Sequence, residues 1–177
     1  MSPAEVLRRG VRAWLFGMPA PEVVRLTSAL TAAGVAVAVA GGWGVDALLG
    51  AGRRRHLDLD LLVEAELMPA ALAALAPLGY GVHRADAPGG WWAPVVQVLR
   101  NSRSRTVELI VMTPDGWAAL ATRAASGDLG PRTVLGRLQG RDVSCLAPAW
   151  QLAAHAGYPP RRRDRRDLDT LRRLVSP

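Results

Sequence analysis

Acids alternate with apolar side chains in the stretch HLDLDLLV at residues 56–63. A period of two is typical of a β-strand, because successive side chains point to opposite faces of the sheet. Asp58 and Asp60 then share one face, and the leucines between them share the other. Neighbouring carboxylates repel each other and resist burial. The pattern therefore predicts either an edge strand with solvated acids or a strand whose acids bind a cation.

A glycine-rich segment, GGWG at residues 41–44, precedes this strand. It lies between an apolar strand predicted over 35–40 and a short helix predicted over 45–49. Glycines let backbone N–H groups approach phosphate oxygens, and a helix N-terminus favours negative charge. A tight turn alone would also explain the glycines. The two aspartates that follow favour phosphate binding, with Gly41 and Gly42 as the candidate residues.

A third carboxylate, Glu108, lies in TVELIVM at residues 106–112. This segment and residues 91–100 form a predicted hairpin around a polar turn. Glu108 either faces outward from the hairpin or, if its strand neighbours the aspartate strand, joins Asp58 and Asp60. Carboxylate oxygens suit Mg²⁺, which often binds one or two carboxylates together with substrate phosphates. Three convergent carboxylates can hold two Mg²⁺ ions and activate a hydroxyl for attack on a phosphate.

Helical and extended patterns alternate along the chain, which predicts an α/β or α+β fold with a small mixed sheet flanked by helices. The length of 177 residues suits one domain, or one domain with a small appended subdomain. Further predicted elements are helices at 3–15, 20–33, 69–78, 148–157 and 165–174, a short strand at 80–84, and extended pieces within 129–143.

Composition narrows the class of partner and the cellular compartment. The net charge is +7, and every basic residue is arginine, which favours anionic partners such as nucleotide phosphates or nucleic acid. A single cysteine, Cys145, excludes an internal disulfide framework. The apolar run at residues 28–42 is too short to span a bilayer. We therefore expect a soluble cytoplasmic protein with no membrane partner.

The order of strand, Gly-Gly, short helix, D-x-D strand and a later acidic strand resembles the nucleotidyltransferase superfamily that includes DNA polymerase beta. GGWGVDALLG followed by RRHLDLDL is similar to antibiotic nucleotidyltransferases of the lincosamide and aminoglycoside types. Residues 134–171 resemble the C-terminal half of lincosamide-type members. The resemblance implies a nucleotidyltransferase core over 1–115 and a C-terminal subdomain over 116–177, either packed on the core or continuous with it.

The resemblance also implies roles for individual residues. Asp58 and Asp60 would be Mg²⁺ ligands, and Glu108 would be a third ligand or the general base. Gly42 would approach the triphosphate. Two basic residues, Arg54 and His56, would contact phosphate or nucleotide, whereas Asp46 would be a local hydrogen-bond anchor.

Two departures from the family pattern concern the third acid. Close relatives carry Asp there, often followed by a Leu-His-Pro run, whereas this chain has Glu108 followed by Leu-Ile-Val. The longer side chain can still bind metal, but its geometry as a base differs. The missing histidine favours a different acceptor or a lost activity.

The activity implied is transfer of a nucleoside monophosphate, AMP from ATP with Mg²⁺, to a hydroxyl of a small molecule such as an antibiotic. Aminoglycosides are polycations that need an acid-rich pocket, so the many arginines favour a lincosamide-like acceptor. Two alternatives stay open. One is an RNA- or protein-directed enzyme of a toxin system, which the arginines at 161–166 favour. The other is a degenerate member in a natural-product pathway. The family also implies a homodimer.

Overall fold

Seven strands form one mixed sheet with helices on both faces in the computed structural model, which describes residues 17–88, 95–123, 129–156, 160 and 162–175. The sheet order is β3-β4-β5-β2-β1-β7-β6. The strands are β1 (Val37–Ala40), β2 (Asp58–Glu64), β3 (Gly81–Pro88), β4 (Val95–Arg100), β5 (Thr106–Met112), β6 (Thr133–Leu138) and β7 (Arg141–Leu146). The described helices are α1 (Ala20–Ala32), α2 (Gly41–Leu48), α3 (Met68–Leu75), α4 (Pro114–Ala121), α5 (Pro148–His155) and α6 (Arg162–Val175), with short 3-10 segments at Ala65–Leu67 and Ala76–Leu78.

The aspartate strand β2 lies at the centre of the sheet. It pairs antiparallel with β1 on one side and parallel with β5 on the other. Leu59 and Leu61 are fully buried, while Asp58 and Asp60 are half-buried on the opposite face. The predicted alternation is confirmed, and the edge-strand interpretation is wrong. Burial of each leucine favours folding by about 2 kcal/mol, which fixes the register and with it the face of the acids.

Two apolar clusters cover the two faces of the sheet. The larger cluster joins α1 and α3 to one face through side chains such as Leu26, Leu59 and Leu75. The smaller cluster packs α4 and α5 on the other face through Trp117 and Trp150. The smaller cluster covers the end of that face around Leu62. It does not include Asp58, Asp60 and Glu108, which lie at the other end of the same face.

Two helices differ from the sequence predictions. α2 begins at Gly41, so the predicted turn at 41–44 is the first turn of the helix. α4 was not predicted. Its start follows the usual rules, since Pro114 occupies the first turn and the Thr113 hydroxyl accepts a hydrogen bond from the Gly116 N–H at 3.1 Å. The Pro-Asp-Gly sequence at its start is also typical of a turn, which obscures the helix in the sequence. The predicted helix at 3–15 lies outside the described residues.

A buried carboxylate, Glu22 on α1, joins three elements below the sheet. It accepts hydrogen bonds from the Arg25 guanidinium at 2.7 and 2.9 Å and from the Tyr80 hydroxyl at 2.9 Å. Arg105, at the start of β5, lies 3.7 Å from the same carboxylate. The hydrogen bond from Arg25 is the main cause that lowers the pKa of Glu22, against the effect of burial.

We predict that Glu22→Gln lowers the free energy of unfolding at pH 7 by about 2 kcal/mol, because charge-assisted hydrogen bonds are lost. The folded-state pKa is lowered, so the stabilisation is present above the usual carboxyl pKa and is lost as pH falls through the folded-state pKa. Urea unfolding of both proteins between pH 7 and pH 3 measures this. The stability difference should shrink toward pH 3, and a constant difference would contradict the charge-based explanation.

Within the described residues, no helix is both long enough and apolar enough to cross a membrane.

Candidate active site

The three predicted carboxylates lie on two neighbouring parallel strands. Asp60 on β2 is the register partner of Glu108 on β5, and Asp58 is the partner of Thr106. Partners on adjacent strands are about 4.8 Å apart and share a face of the sheet. Asp58, Asp60 and Glu108 therefore lie together on one half-buried surface. The sequence could not establish that β5, rather than another strand, is the neighbour of β2.

Negative charge accumulates on this surface. Burial is the main cause that raises the pKa of Glu108, and the nearby charge of Asp58 raises it further. Arg84 acts in the opposite direction. A carboxyl group with a raised pKa accepts a proton more readily near neutral pH, which is the property required of a general base.

The glycine segment lies directly against the acids. Gly41 has φ of +56°, a left-handed conformation that favours glycine. A Cβ atom on Gly41 would overlap the Asp60 carboxylate. Ala40, immediately before it, is the register partner of Asp60 on β1. Gly41 is therefore required both by its backbone conformation and by the close approach of a site carboxylate.

Gly42 is required for a different reason. A Cβ atom on Gly42 would collide with the imidazole ring of His56 and with the guanidinium of Arg54. Both predicted basic residues thus lie against the first turn of α2. The Gly42 backbone and the Arg54 side chain therefore lie next to each other. One phosphate group could contact both only if they lie this close.

His56 is buried and held by a specific partner. Its Nε2 lies 2.6 Å from Oδ2 of Asp46, and its ring packs on Trp43 with centroids 4.4 Å apart. The hydrogen bond therefore joins Nε2 to the carboxylate, and Nδ1 faces Gly42. Asp46 also accepts a hydrogen bond from the Arg53 backbone N–H at 3.0 Å. The prediction that Asp46 is a hydrogen-bond anchor is confirmed.

The sequence did not reveal two arginines on the other side of Glu108. Arg84 on β3 lies in the same row across the sheet as Glu108 and Asp60, through its partner Val98 on β4. Arg100 lies in the adjacent row, next to Thr106 and Asp58. Arg84 is exposed. The Nε atom of Arg100 is buried without a hydrogen bond to any described residue.

Both arginines fall in segments predicted to be strands. Alternation along a strand does not say which of the two faces of the sheet each arginine occupies. Their position beside Glu108 depends on the pairing of β3, β4 and β5 and on the bulges in β3. Neither feature can be read from one sequence. The half of the site that lies away from the glycines is therefore more basic than the motif suggests.

Binding of Mg²⁺ requires several oxygen ligands, some of which water and substrate can supply. Within the described residues, no three or more His, Cys, Asp or Glu side chains form a group that could hold a metal ion by itself. Mg²⁺ commonly takes one or two carboxylates, and substrate phosphates and water complete the shell. Asp58 and Asp60, which share one face of β2 and have the right oxygen chemistry, fit that partial role.

The sequence matches the profile of the aminoglycoside-2''-adenylyltransferase family over residues 22–171. The chain belongs to this family. A lincosamide resistance protein of Staphylococcus haemolyticus is 24% identical over 139 residues, which cover 76% of this chain and 83% of that protein. The expectation of an antibiotic-type nucleotidyltransferase is confirmed.

Solved structures support the same fold. The lincomycin-bound structure of lincosamide antibiotic adenylyltransferase LnuA has a TM-score of 0.66 at 20% identity, covering 90% of this chain and 99% of that chain. ANT(2'')-Ia in complex with adenylyl-2''-tobramycin has a TM-score of 0.64 at 16% identity, covering 89% of each chain. The predicted mixed sheet flanked by helices is therefore confirmed. At these identities the family members share a fold and can differ in acceptor.

Proposed function

We propose that this family member binds ATP with Mg²⁺ at the carboxylate-bearing end of β2 and β5 and transfers AMP to a hydroxyl of a small-molecule antibiotic, releasing pyrophosphate. The observation that carries the proposal is the in-register pairing of Asp60 with Glu108 beside Gly41. That arrangement places acidic oxygens against a backbone turn of the kind that binds phosphates.

Each residue has a defined role in the proposal. Asp58 and Asp60 would hold Mg²⁺, which when bound neutralises phosphate charge and aligns the reacting oxygens, and Glu108 would be the general base. The glycine turn, which is the first turn of α2 at residues 41–44, would bind the triphosphate through the backbone of Gly41 and Gly42.

Around that turn, Arg54 would contribute charge to phosphate binding. His56, held by Asp46, would keep the turn in place and face the nucleotide side. The acidic surface and the turn would then hold the reacting α-phosphate between them.

The reaction needs no reactant other than ATP and the acceptor. The acceptor oxygen forms a bond to the α-phosphorus of ATP while the bond between that phosphorus and the bridging oxygen breaks. The hydroxyl proton passes to the carboxylate of Glu108, whose raised pKa suits a base. Pyrophosphate carries away the electron pair of the broken bond. Because ATP is an intracellular co-substrate, we also propose that the enzyme works in the cytoplasm.

The charge around Glu108 favours an acceptor with few positive charges. Arg84 and Arg100 lie on the side of Glu108 that faces away from the glycine turn, where an acceptor hydroxyl would approach. A polycationic aminoglycoside would be repelled there, whereas a lincosamide would be tolerated. We therefore propose a lincosamide-like acceptor.

We predict that Arg84→Glu raises kcat/KM for tobramycin relative to lincomycin by about tenfold, equivalent to about 1.4 kcal/mol. The reason is that an attractive charge replaces a repulsive one beside the acceptor. Arg103→Glu makes the same charge change in the exposed turn between β4 and β5 and serves as the control. An unchanged ratio in Arg84→Glu, or an equal change in the control, would contradict the assignment.

A second candidate is an RNA-directed nucleotidyltransferase, which the exposed arginines Arg165 and Arg166 on α6 favour. One experiment separates the candidates. The protein is incubated with Mg²⁺, ATP labelled on the α-phosphate, and lincomycin, tobramycin or tRNA, and both pyrophosphate and labelled product are measured. Labelled lincomycin supports the proposal, and labelled tRNA supports the second candidate. Nucleotide binding without any labelled product indicates a degenerate member.

A further inference from the structure

The loop between α2 and β2 is attached to the C-terminal helix by two consecutive arginines. The terminal nitrogen Nη2 of Arg54 donates to Oδ2 of Asp167 at 2.7 Å, with 34% and 13% of the two side chains exposed. Nη1 of Arg53 donates to the Thr170 hydroxyl at 2.8 Å. Asp167 and Thr170 lie one helical turn apart on the buried face of α6. The loop and α6 are therefore linked at two adjacent points.

The Arg54 contact brings α6 to the glycine turn. The same Nη2 atom lies where a side chain on Gly42 would be, against the first turn of α2. A guanidinium carries five N–H donors in a planar fork, and Asp167 engages only one nitrogen. Held in this position, the fork can present its other donors to a phosphate bound at the turn.

Without Asp167, the Arg54 guanidinium would not be held ready to bind a phosphate. Residues 50–55 of the loop are exposed and lie outside the helices and strands. A long, flexible side chain on such a loop loses rotamer freedom when it binds a ligand, and this loss weakens binding. A partner that orders the side chain beforehand removes that loss. The partner must itself be fixed, as Asp167 is by its place on the buried face of α6.

We propose that Asp167 is a positioning residue for the nucleotide, which holds the Arg54 guanidinium beside Gly42 so that α6 forms part of the triphosphate site. This inference rests on the proposed function, because it takes the glycine turn to be where the triphosphate binds. Asp167 itself does not touch the nucleotide. Its effect is transmitted through Arg54 alone.

Charge and positioning predict opposite effects of removing Asp167. Loss of a negative charge close to a triphosphate should by itself strengthen nucleotide binding. Loss of the contact that orders Arg54 should weaken it. A weaker binding of nucleotide by Asp167→Asn is therefore a result that electrostatics alone would not produce.

The test is the Kd for α,β-methylene ATP with Mg²⁺, measured by titration calorimetry on the full chain. We expect Asp167→Asn to raise this Kd about tenfold. Asp167→Glu, which keeps the carboxylate, should restore most of the affinity. Asp169→Asn is the matched control, since it removes an exposed carboxylate from the same helix. The control should leave the Kd within about twofold of the wild type.

A double variant shows whether the effect passes through Arg54. In an Arg54→Gln background, Asp167→Asn should cause no further loss of affinity. If Asp167→Asn does not fold, Arg54→Lys tests the same link from the other side. Lysine keeps the charge without the fork, and it should also raise the Kd about tenfold.

Three results would overturn the inference. Unchanged or tighter binding by Asp167→Asn would show that Asp167 only balances charge or stabilises the fold, and the proposed function would stand. Additive losses in the double variant would show that the effect does not pass through Arg54. A wild-type protein that binds no nucleotide would remove the proposed function as well as the inference.

Discussion

Replacing Asp60 with asparagine is expected to lower kcat/KM for AMP transfer at least about a thousandfold, or roughly 4 kcal/mol of transition-state stabilisation. The substitution keeps the size of the side chain but removes a charged ligand from the centre of the site. Asp60 is paired with Glu108 and contacts the Gly41 backbone, so its loss affects the metal and phosphate positions together. The measurement is formation of labelled product from α-labelled ATP under single-turnover conditions.

The control for this prediction is Asp142→Asn. Asp142 is 66% exposed on β7 and pairs with Arg137, so its substitution changes net charge equally without touching the site. Thermal unfolding of both variants checks that the fold is kept. If Asp60→Asn retained more than about a tenth of the wild-type rate, the carboxylate would not have the proposed role.

Gly41→Ala is expected to lower kcat/KM about a hundredfold while the protein still folds. The added methyl group would overlap the Asp60 carboxylate, so that carboxylate must move. Displacement of a catalytic group by about 1 Å is enough for a loss of this size. The left-handed φ of +56° also destabilises alanine there by about 1 kcal/mol.

Gly50→Ala separates strain from displacement. Gly50 has φ of +66°, yet a Cβ atom there would have nothing within 4 Å. Both variants should therefore lose about 1 kcal/mol of unfolding free energy, but only Gly41→Ala should lose activity. Equal losses of activity would show that backbone strain, rather than contact with Asp60, explains the glycine.

The elements that the sequence predicted well are those whose pattern is set by burial. The leucines of β2 alternate with Asp58 and Asp60 because that strand is covered on one face and open on the other at its end. Gly34 and Gly79 follow the ends of their helical segments with positive φ, as expected of C-terminal glycines. These features are local, so a single sequence contains them.

The rest of the site depends on contacts between distant segments. The link between Arg54 and Asp167 joins residues 113 positions apart. Likewise, the place of Arg84 beside Glu108 follows from strand order and from bulges in β3. Charge patterns gave no signal for either, because both arginines resemble the many solvated arginines of this chain. The arginine-rich helix α6 therefore has a buried face that carries the acid Asp167, which composition could not reveal.

We propose that the carboxylates of β2 bind the nucleotide through Mg²⁺ at the glycine turn. Titration of α,β-methylene ATP into the wild type and Asp60→Asn, with Mg²⁺ and with EDTA, tests this binding. We predict binding by the wild type that requires Mg²⁺ and is lost in Asp60→Asn. Equal binding with and without Mg²⁺, or equal binding by the variant, would show that these carboxylates do not bind the nucleotide through Mg²⁺.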